Sequence, residues 1–374
     1  MTNISYTNHS ISARCEYSVV VPTYCERENL PLLTERIAAA VSPLGKNYEI
    51  IIVDDDSQDG TEETIADLAG KGYPISLILR KDQRGLSSAV LRGFREAQGD
   101  MLICMDADLS HPPEAIPELI RSFDDPDIEF VLGSRYVSGA STDSQWGWFR
   151  WLNSKVATLL ARPFTRAKDP MSGFFAIPRE VFAKADTLDP IGYKIALELI
   201  VKCRCKNIRE IPIHFCDRQF GQSKLNLTEQ LRYLKHLKRL SDYKFGRISQ
   251  LAQFCIVGAT GMVVDLMIFY LLLLSSIPLM IARALAIWIA MTWNFALNRR
   301  LAFSYSRRGN FLAQYGKFAV SCSLGAVISW LICILLARTI TFFADQIFLA
   351  AIIGIIAGTL VNFSVSCVWV FGKK

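Results

Sequence analysis

The chain has 374 residues, of which 51% are hydrophobic and only 20% are charged, and its formal net charge is +6. Residues 1–248 carry 32 Lys and Arg against 33 Asp and Glu, whereas residues 249–374 carry 9 against 2. The first part is therefore close to neutral, which excludes the broad basic surface of a nucleic-acid-binding protein. The first twelve residues are polar, so we expect no secretory signal and a cytoplasmic location for the first part.

Strand and helix patterns alternate from residue 17 to residue 105. Apolar runs rich in β-branched residues predict strands, and the amphipathic segments between them predict helices. This alternation indicates a doubly wound parallel α/β sheet that binds ligands at the carboxyl ends of its strands. The predicted strands are Tyr17–Val21, Glu49–Val53, Ile75–Leu79 and Met101–Met105, and the predicted helices are Leu30–Val41, Thr61–Leu68 and Ser87–Ala97.

Paired carboxylates follow the fourth predicted strand. Asp106 and Asp108 are one residue apart, a spacing that lets both bind one hard divalent cation and bridge it to phosphate oxygens. Neither a Gly-x-Gly-x-x-Gly sequence after the first strand nor a Walker lysine motif is present. Dinucleotide oxidoreduction and P-loop chemistry therefore lose their usual support.

Two segments combine basic side chains with apolar or aromatic ones. Residues 144–168 contain five Lys and Arg residues, three tryptophans and no acid, and residues 228–247 place leucines beside lysines and arginines. Such segments are typical of helices that lie on a membrane surface. A charged, solvated helix face is the alternative for the second segment, but its position directly before an apolar region favours the membrane.

Four apolar stretches follow, and each is long enough to span a bilayer. The loop between the second and third stretches contains four arginines, so the positive-inside rule places this loop and both ends in the cytoplasm. Asp265 and Arg283 are expected to approach each other in adjacent spans, either as a structural ion pair or as part of a translocation path. The predicted spans are about 252–275, 277–297, 318–337 and 346–371.

Ordered motifs between residues 17 and 226 resemble the dolichol-phosphate mannose synthases, which are family 2 glycosyltransferases of GT-A fold. Residues 250–374 resemble the GtrA-like family of four-helix membrane proteins, through Phe254, Gly258, Asp265 and the segment Asn294–Arg300. The resemblance therefore implies a Rossmann-like GT-A catalytic domain followed by a four-helix transmembrane domain. The motifs that carry the first resemblance are Val19–Asn29, Val53–Thr61, Gly85–Ala89, Met105–Glu114, Gly133–Tyr136, Lys168–Phe175 and Gly192–Ile195.

The resemblance assigns roles to individual residues of a donor site. Asp55 is expected to accept hydrogen bonds from the nucleobase, and Asp106 and Asp108 are expected to bind Mg²⁺ or Mn²⁺ together with the donor diphosphate. Ser110 stands where some relatives have a glutamine ligand, so it is a weaker third candidate for the metal. The implied donor-binding residues are Pro22, Tyr24, Glu26, Val53, Asp55, Asp106, Ala107, Asp108, Lys194, Arg218 and Lys224, of which Pro22 and Val53 could equally be strand-end packing.

The resemblance also implies an acceptor-phosphate site formed by Arg135, Arg150 and Ser154. Forked guanidinium groups and a hydroxyl suit a dianionic phosphate. Arg135 is expected to act in catalysis with Asp106 and Asp108, whereas His111 and His214 are interpreted as structural residues.

The domain organisation follows from these assignments. We expect a polar tail over residues 1–16, a GT-A domain over 17–226, an amphipathic linker over 227–248 and a GtrA-like membrane domain over 249–374. The catalytic domain is expected on the cytoplasmic side of the cell membrane.

The predicted function is inverting transfer of mannose from GDP-mannose to a polyprenyl or dolichyl phosphate. Three alternatives are a polyprenyl-phosphate glucosyltransferase that uses UDP-glucose, a processive polysaccharide synthase and a translocase of lipid-linked sugars whose first domain only binds. The Gln-x-x-Arg-Trp motif of polysaccharide synthases is absent. The sequence leaves open the choice between dolichol and undecaprenol, and the oligomeric state.

Overall fold

The chain divides into two units, Met1–Lys244 and Phe245–Lys374. The computed structural model describes residues 14–142, 148–189, 191–192, 194–216, 227–275, 277–307 and 309–372. The predicted donor residues Arg218 and Lys224 lie outside the described residues.

A seven-stranded sheet forms the centre of the first unit. The strands are β1 (Tyr17–Thr23), β2 (Tyr48–Asp54), β3 (Ile75–Leu79), β4 (Met101–Cys104), β5 (Phe130–Ser134), β6 (Ser141–Thr142), β7 (Phe175–Pro178), β8 (Ile208–Pro212) and β9 (His214–Phe215). The order across the sheet is β3-β2-β1-β4-β7-β5-β8, and β6 pairs with β9 separately. Strand β7 runs antiparallel to both of its neighbours. The four strands predicted from the sequence pair in parallel as expected, and the unpredicted strand β7 makes the whole sheet mixed.

Helices cover both faces of this sheet. Because successive strand side chains point to opposite faces, Val19 and Val21 of β1 face one core cluster and Val20 faces the other. Apolar residues of the first two helices fill the first cluster, and those of the third and seventh fill the second. The helices are α1 (Leu30–Val41), α2 (Thr61–Gly70), α3 (Leu86–Glu96), α4 (Ile116–Arg121), α5 (Trp148–Ala161), α6 (Arg179–Phe182), α7 (Ile195–Lys202) and α8 (Leu227–Phe245).

The carboxyl ends of β1, β2 and β4 emerge at the same edge of the sheet. Pro22 is opposite Val53 in the pairing of β1 with β2, whereas the pairing of β1 with β4 stops at Val20 and Cys104. Proline has no N–H to donate, so it is tolerated at this point beyond the β4 ladder. The loops after these three strands therefore carry Tyr24 and Glu26, Asp55, and the pair Asp106 and Asp108 to one edge.

Within the described residues, the second unit contains five α-helices, and three of its segments are long and apolar enough to cross a membrane: Arg247–Leu274, Phe311–Thr339 and Ile352–Val370. That the segment Leu279–Arg300 also spans the membrane stays a prediction. The helices are α9 (Arg247–Leu274), α10 (Leu279–Arg300), α11 (Phe311–Thr339), α12 (Thr341–Asp345) and α13 (Ile347–Val365), and a π-helical turn follows at Ser366–Val370.

The helices of the second unit pack chiefly as two pairs, α9 with α10 and α11 with α13. A cluster of buried phenylalanines joins the two pairs. Phe303 stacks on Phe371 with ring centroids 4.5 Å apart, and Phe254 meets both Phe303 and Phe363 edge-on. The aromatic cluster consists of Phe254, Phe295, Phe303, Phe318, Phe363 and Phe371.

Replacing Phe175 by alanine should lower the free energy of unfolding of the first unit by about 3–5 kcal/mol. Phe175 is fully buried on β7 and contacts the rings of Phe94 and Phe130 at centroid distances of 6.0 and 5.2 Å. The measurement is thermal unfolding of the detergent-solubilised protein. Leu32→Ala is the control, because Leu32 is 45% exposed on α1. Equal effects of both substitutions would contradict the assignment of Phe175 to the core.

Candidate active site

Asp106 and Asp108 follow β4 directly, and neighbouring residues fix both of them. The main-chain N–H of Asp106 donates to Nδ1 of His111 at 3.1 Å. The Asp108 carboxylate accepts from the main-chain N–H of Ser110 at 3.1 Å and from the Ser110 hydroxyl at 2.5 Å. Ser110 therefore orients Asp108, and its role as a direct metal ligand stays a prediction.

His111 is a buried positioning residue beside these carboxylates. Its ring stacks on Phe174 with centroids 5.4 Å apart and meets the edge of Phe215 at 5.5 Å. Because Nδ1 accepts the Asp106 N–H, the proton of a neutral ring is on Nε2. The structure thus agrees with a structural interpretation of His111, but places it in direct support of the Asp106 main chain.

The Asp106 carboxylate lies against Gly173 of the segment that precedes β7. A Cβ atom on Gly173 would lie only 3.0 Å from Asp106 Oδ1 and 3.1 Å from Oδ2. Within the described residues, no group of three or more His, Cys, Asp or Glu side chains could hold a metal ion. Two carboxylates at a strand end do suit a hard cation such as Mg²⁺, which commonly takes its other ligands from substrate phosphates and water.

Asp55 lies at the carboxyl end of β2, and its carboxylate contacts other groups of the protein. Its Oδ1 forms a buried ion pair with Nε of Arg80 at 2.9 Å, and its Oδ2 accepts from the main-chain N–H of Gly85 at 2.6 Å. Burial lowers the pKa of Arg80, and the charge of Asp55 partly offsets this effect. Sequence reasoning missed Arg80, although an arginine directly after an apolar strand is a signal that could have identified it.

The other predicted donor residues differ in accessibility. Tyr24 is 40% exposed and Glu26 is partly exposed, whereas Pro22, Val53 and Ala107 are buried. The side chains of these three buried residues pack in the protein interior. Any contact that they make with a sugar nucleotide would therefore come from their main-chain atoms. Their donor-binding roles stay predictions.

A second polar group surrounds Arg135, which follows β5. The Arg135 guanidinium donates through Nε and Nη2 to the two oxygens of Asp169, at 2.7 and 2.8 Å. The main-chain N–H of Arg135 adds a third hydrogen bond to Asp169, which is fully buried. Removing one member of such a pair leaves an uncompensated buried charge, so Asp169 holds Arg135 in one orientation. Asp169 belongs to the motif Lys168–Phe175, but no individual role was predicted for it.

Tyr136 connects this group to helix α5. Its hydroxyl donates to the Ser154 hydroxyl at 2.6 Å, and Nζ of Lys155 lies over its ring at 4.6 Å from the centroid. The predicted acceptor residues Arg135 and Ser154 are thereby brought together. Arg150 is on the same face of α5 as Ser154, because the two are four residues apart, but the side chain of Arg150 is outside the part of the chain that the structure describes.

Two family models match the chain. Residues 18–185 match the glycosyl transferase family 2 model, and residues 253–371 match the GtrA/DPMS transmembrane domain model. The dolichol-phosphate mannosyltransferase of Pyrococcus furiosus is 41% identical over 319 residues, which are 84% of this chain and 89% of the relative. The chain belongs to the dolichol-phosphate mannosyltransferase family. The enzyme of that name from Saccharomyces cerevisiae is 46% identical over 239 residues, which are 62% of this chain and 89% of the relative.

Membership of the dolichol-phosphate mannosyltransferase family makes the chain a glycosyltransferase and a membrane protein. Its two units correspond to the two matching models, so the GT-A fold and the membrane domain predicted from the sequence are confirmed. The family relation also supports a transferase over a polysaccharide synthase or a translocase with a binding-only first domain.

In this member of the mannosyltransferase family, Lys194 is held at the start of α7. Burial, and after it the positive charge of Arg135, lower the pKa of Lys194 to about 8, although Asp169 and Glu229 act in the opposite direction. Nζ of Lys194 lies 5.9 Å from the centre of the Tyr233 ring on α8. Lys194 is therefore a cation whose charge changes within the accessible pH range.

Affinity for GDP should fall as the pH rises from 7 to 9, by at most about tenfold. If Lys194 closes over the donor diphosphate, as the resemblance implies, its charged form strengthens GDP binding below pH 8, whereas above pH 8 binding must first take up a proton. Calorimetric titration of GDP at several pH values tests this expectation. Lys194→Met should bind GDP more weakly at pH 7 and show a flatter profile, and identical slopes in both proteins would contradict the role of Lys194.

Gly173→Ala should raise the Mg²⁺ or Mn²⁺ concentration needed for half-maximal sugar transfer several-fold. The added methyl group would force the Asp106 carboxylate to move by a few tenths of an ångström. Gly70→Ala is a matched control, because a Cβ atom at Gly70 of α2 meets nothing within 4 Å. An unchanged metal requirement in Gly173→Ala would argue against Asp106 as a metal ligand.

Proposed function

We propose that the chain transfers mannose from GDP-mannose to a polyprenyl or dolichyl phosphate, with inversion at the anomeric carbon. The observation that carries this proposal is the family relation, which extends over both units of the chain. Paired carboxylates at one strand end and a guanidinium–hydroxyl group beside them supply the chemistry that such a transfer needs.

The donor side requires compensation of the negative charge on the diphosphate. Asp106 and Asp108 would hold Mg²⁺ or Mn²⁺, and a divalent cation stabilises the charge that develops on a leaving diphosphate. Lys194 adds a positive charge near Arg135 and Asp169. The predicted donor residues Arg218 and Lys224 would act on the same group.

The acceptor side requires groups that orient a lipid phosphate. Asp169 binds two N–H groups of Arg135 and so fixes the plane of the guanidinium, while Tyr136 places the Ser154 hydroxyl beside it. A charge-assisted hydrogen bond to phosphate from Arg135, together with Arg150 and Ser154, would hold the nucleophile in place.

The reaction needs a single displacement. One oxygen of the lipid phosphate attacks the anomeric carbon, the bond from that carbon to the diphosphate oxygen breaks, and the electron pair leaves with GDP. The lipid phosphate is anionic near pH 7, so a dedicated general base is less necessary than for a sugar hydroxyl. The protein's main contribution is then orientation and electrostatic stabilisation.

We further propose that the catalytic unit lies on the cytoplasmic side of the cell membrane. The support is the distribution of basic residues around the apolar helices, with Arg299 and Arg300 in the last turn of α10 and Arg307 between α10 and α11. Leu231, Leu234 and Leu159 are exposed apolar residues on α8 and α5, as expected for helices at a membrane surface.

Purified protein should form mannosyl lipid from GDP-mannose and a polyprenyl phosphate. Its kcat/KM for GDP-mannose should exceed that for UDP-glucose by at least about tenfold, or ~1.4 kcal/mol of discrimination. Organic extraction of radiolabelled product from both donors measures this ratio.

Asp108→Asn should abolish nearly all transfer and remain folded, whereas Asp67→Asn, which changes an exposed acid on α2, should leave transfer intact. If kcat/KM for UDP-glucose equals or exceeds that for GDP-mannose, the proposed function changes from mannosyl transfer to glucosyl transfer. Full activity of Asp108→Asn would remove the metal role of Asp108.

A further inference from the structure

An exposed arginine on the loop between β3 and α3 lies at the edge of the sheet where the donor is expected. The Arg84 guanidinium lies over the Tyr24 ring, 4.9 Å from its centroid, and Nη1 of Arg84 donates to the Tyr24 hydroxyl at 3.2 Å. Exposed cation–π contacts contribute only about 0.5–1 kcal/mol, so this contact is a weak contribution to stability. The contact matters because it directs the Arg84 guanidinium, with its forked N–H groups, toward the predicted nucleoside site.

Buried groups fix the main chain on both sides of Arg84. The main-chain N–H of Gly85 donates to Oδ2 of Asp55, and the carbonyl oxygen of Gln83 accepts from the Arg80 guanidinium at 2.9 Å. Gly85 has φ +137°, a backbone conformation that side chains rarely adopt, so glycine suits this turn. The main-chain position of Arg84 is therefore set before any sugar nucleotide binds.

Asp55 is a buried residue that supports this loop. Its side chain is only 8% exposed, and Oδ1 is enclosed against Arg80. Asp55 was expected to accept hydrogen bonds from the donor groups of the base. Carboxylate oxygens accept hydrogen bonds, so Asp55 cannot read the acceptor groups of the base, and both of its oxygens already contact Arg80 or Gly85. A second residue that donates hydrogen bonds is needed for those acceptor groups.

The chemistry of Arg84 suits one base in particular. A planar guanidinium offers parallel N–H donors, which match the adjacent acceptors O6 and N7 of guanine. Uracil has no such pair of adjacent acceptors, because its two carbonyl groups are separated by an N–H.

We propose that Arg84 is a base-specificity residue that donates a forked pair of hydrogen bonds to O6 and N7 of guanine. Tyr24 holds the guanidinium beside the base, and Asp55 fixes the loop that carries it. This inference rests on the proposed use of a GDP-sugar, and it adds a residue that decides between guanine and uracil donors.

Calorimetric titration of the full chain in detergent, with Mg²⁺ present, tests the proposal. Arg84→Met removes the fork and keeps the apolar stem, and it should weaken GDP binding by about 10–100-fold and UDP binding by less than about threefold. Arg84→Lys should recover little of the loss, because an ammonium group has no planar fork. Lys81→Met is the control, because it removes one exposed positive charge from the same loop.

7-Deaza-GDP, which lacks the N7 acceptor, provides a second readout. It should bind the unmodified protein more weakly than GDP, whereas Arg84→Met should bind GDP and 7-deaza-GDP equally. If the unmodified protein prefers GDP and Arg84→Met keeps the full preference, Arg84 is not the specificity residue, although the GDP donor stands. If the unmodified protein binds UDP more tightly than GDP, both the donor assignment and the role of Arg84 are wrong.

Discussion

The buried carboxylate of Asp169 is the constraint on which the rest of the site depends. It binds the Arg135 guanidinium from the side, and the main-chain N–H groups of Lys168 and Asp169 in turn donate to Glu210 of β8 at 2.7 and 2.9 Å. Four residues later the same segment places Gly173 against the Asp106 carboxylate. One short segment therefore sets the distance between the expected positions of the acceptor phosphate and the metal, which in-line transfer requires to be fixed.

The strands and helices of the first part of the catalytic unit could be predicted because each satisfies its own local rule. Leu30–Val41 has apolar residues at helical spacing and was predicted with the observed limits, and Ile75–Leu79 likewise. Strand β7 was not predicted, and its antiparallel direction makes the sheet mixed. It has only four residues, too few for a periodic signal, and its position depends on pairing of Phe175 with both Cys104 and Leu132.

The site could be predicted mainly through motifs. Asp106 and Asp108 carry a signal of their own, since paired carboxylates after an apolar strand indicate a cation site. The role of Asp55 depends on residues distant in sequence, and its partners Arg80 and Gly85 become visible only when β2 and β3 are paired. The pairing of Arg135 with Asp169 spans 34 residues, and no local pattern predicts it.

The packing of the membrane unit has a consequence for the order in which it assembles during synthesis. Helices α9 and α10 are neighbours in sequence and pack on each other, so their pairing can form before α11 exists. The pair α11 and α13 forms next, by contacts that are again short in sequence. Phe254 lies on α9, the first of these helices to be synthesised. Its ring can complete its contacts only when Phe363 and the stacked pair of Phe303 and Phe371 are in place. The aromatic cluster can therefore close only after the segment that carries Phe363 and Phe371 has been synthesised.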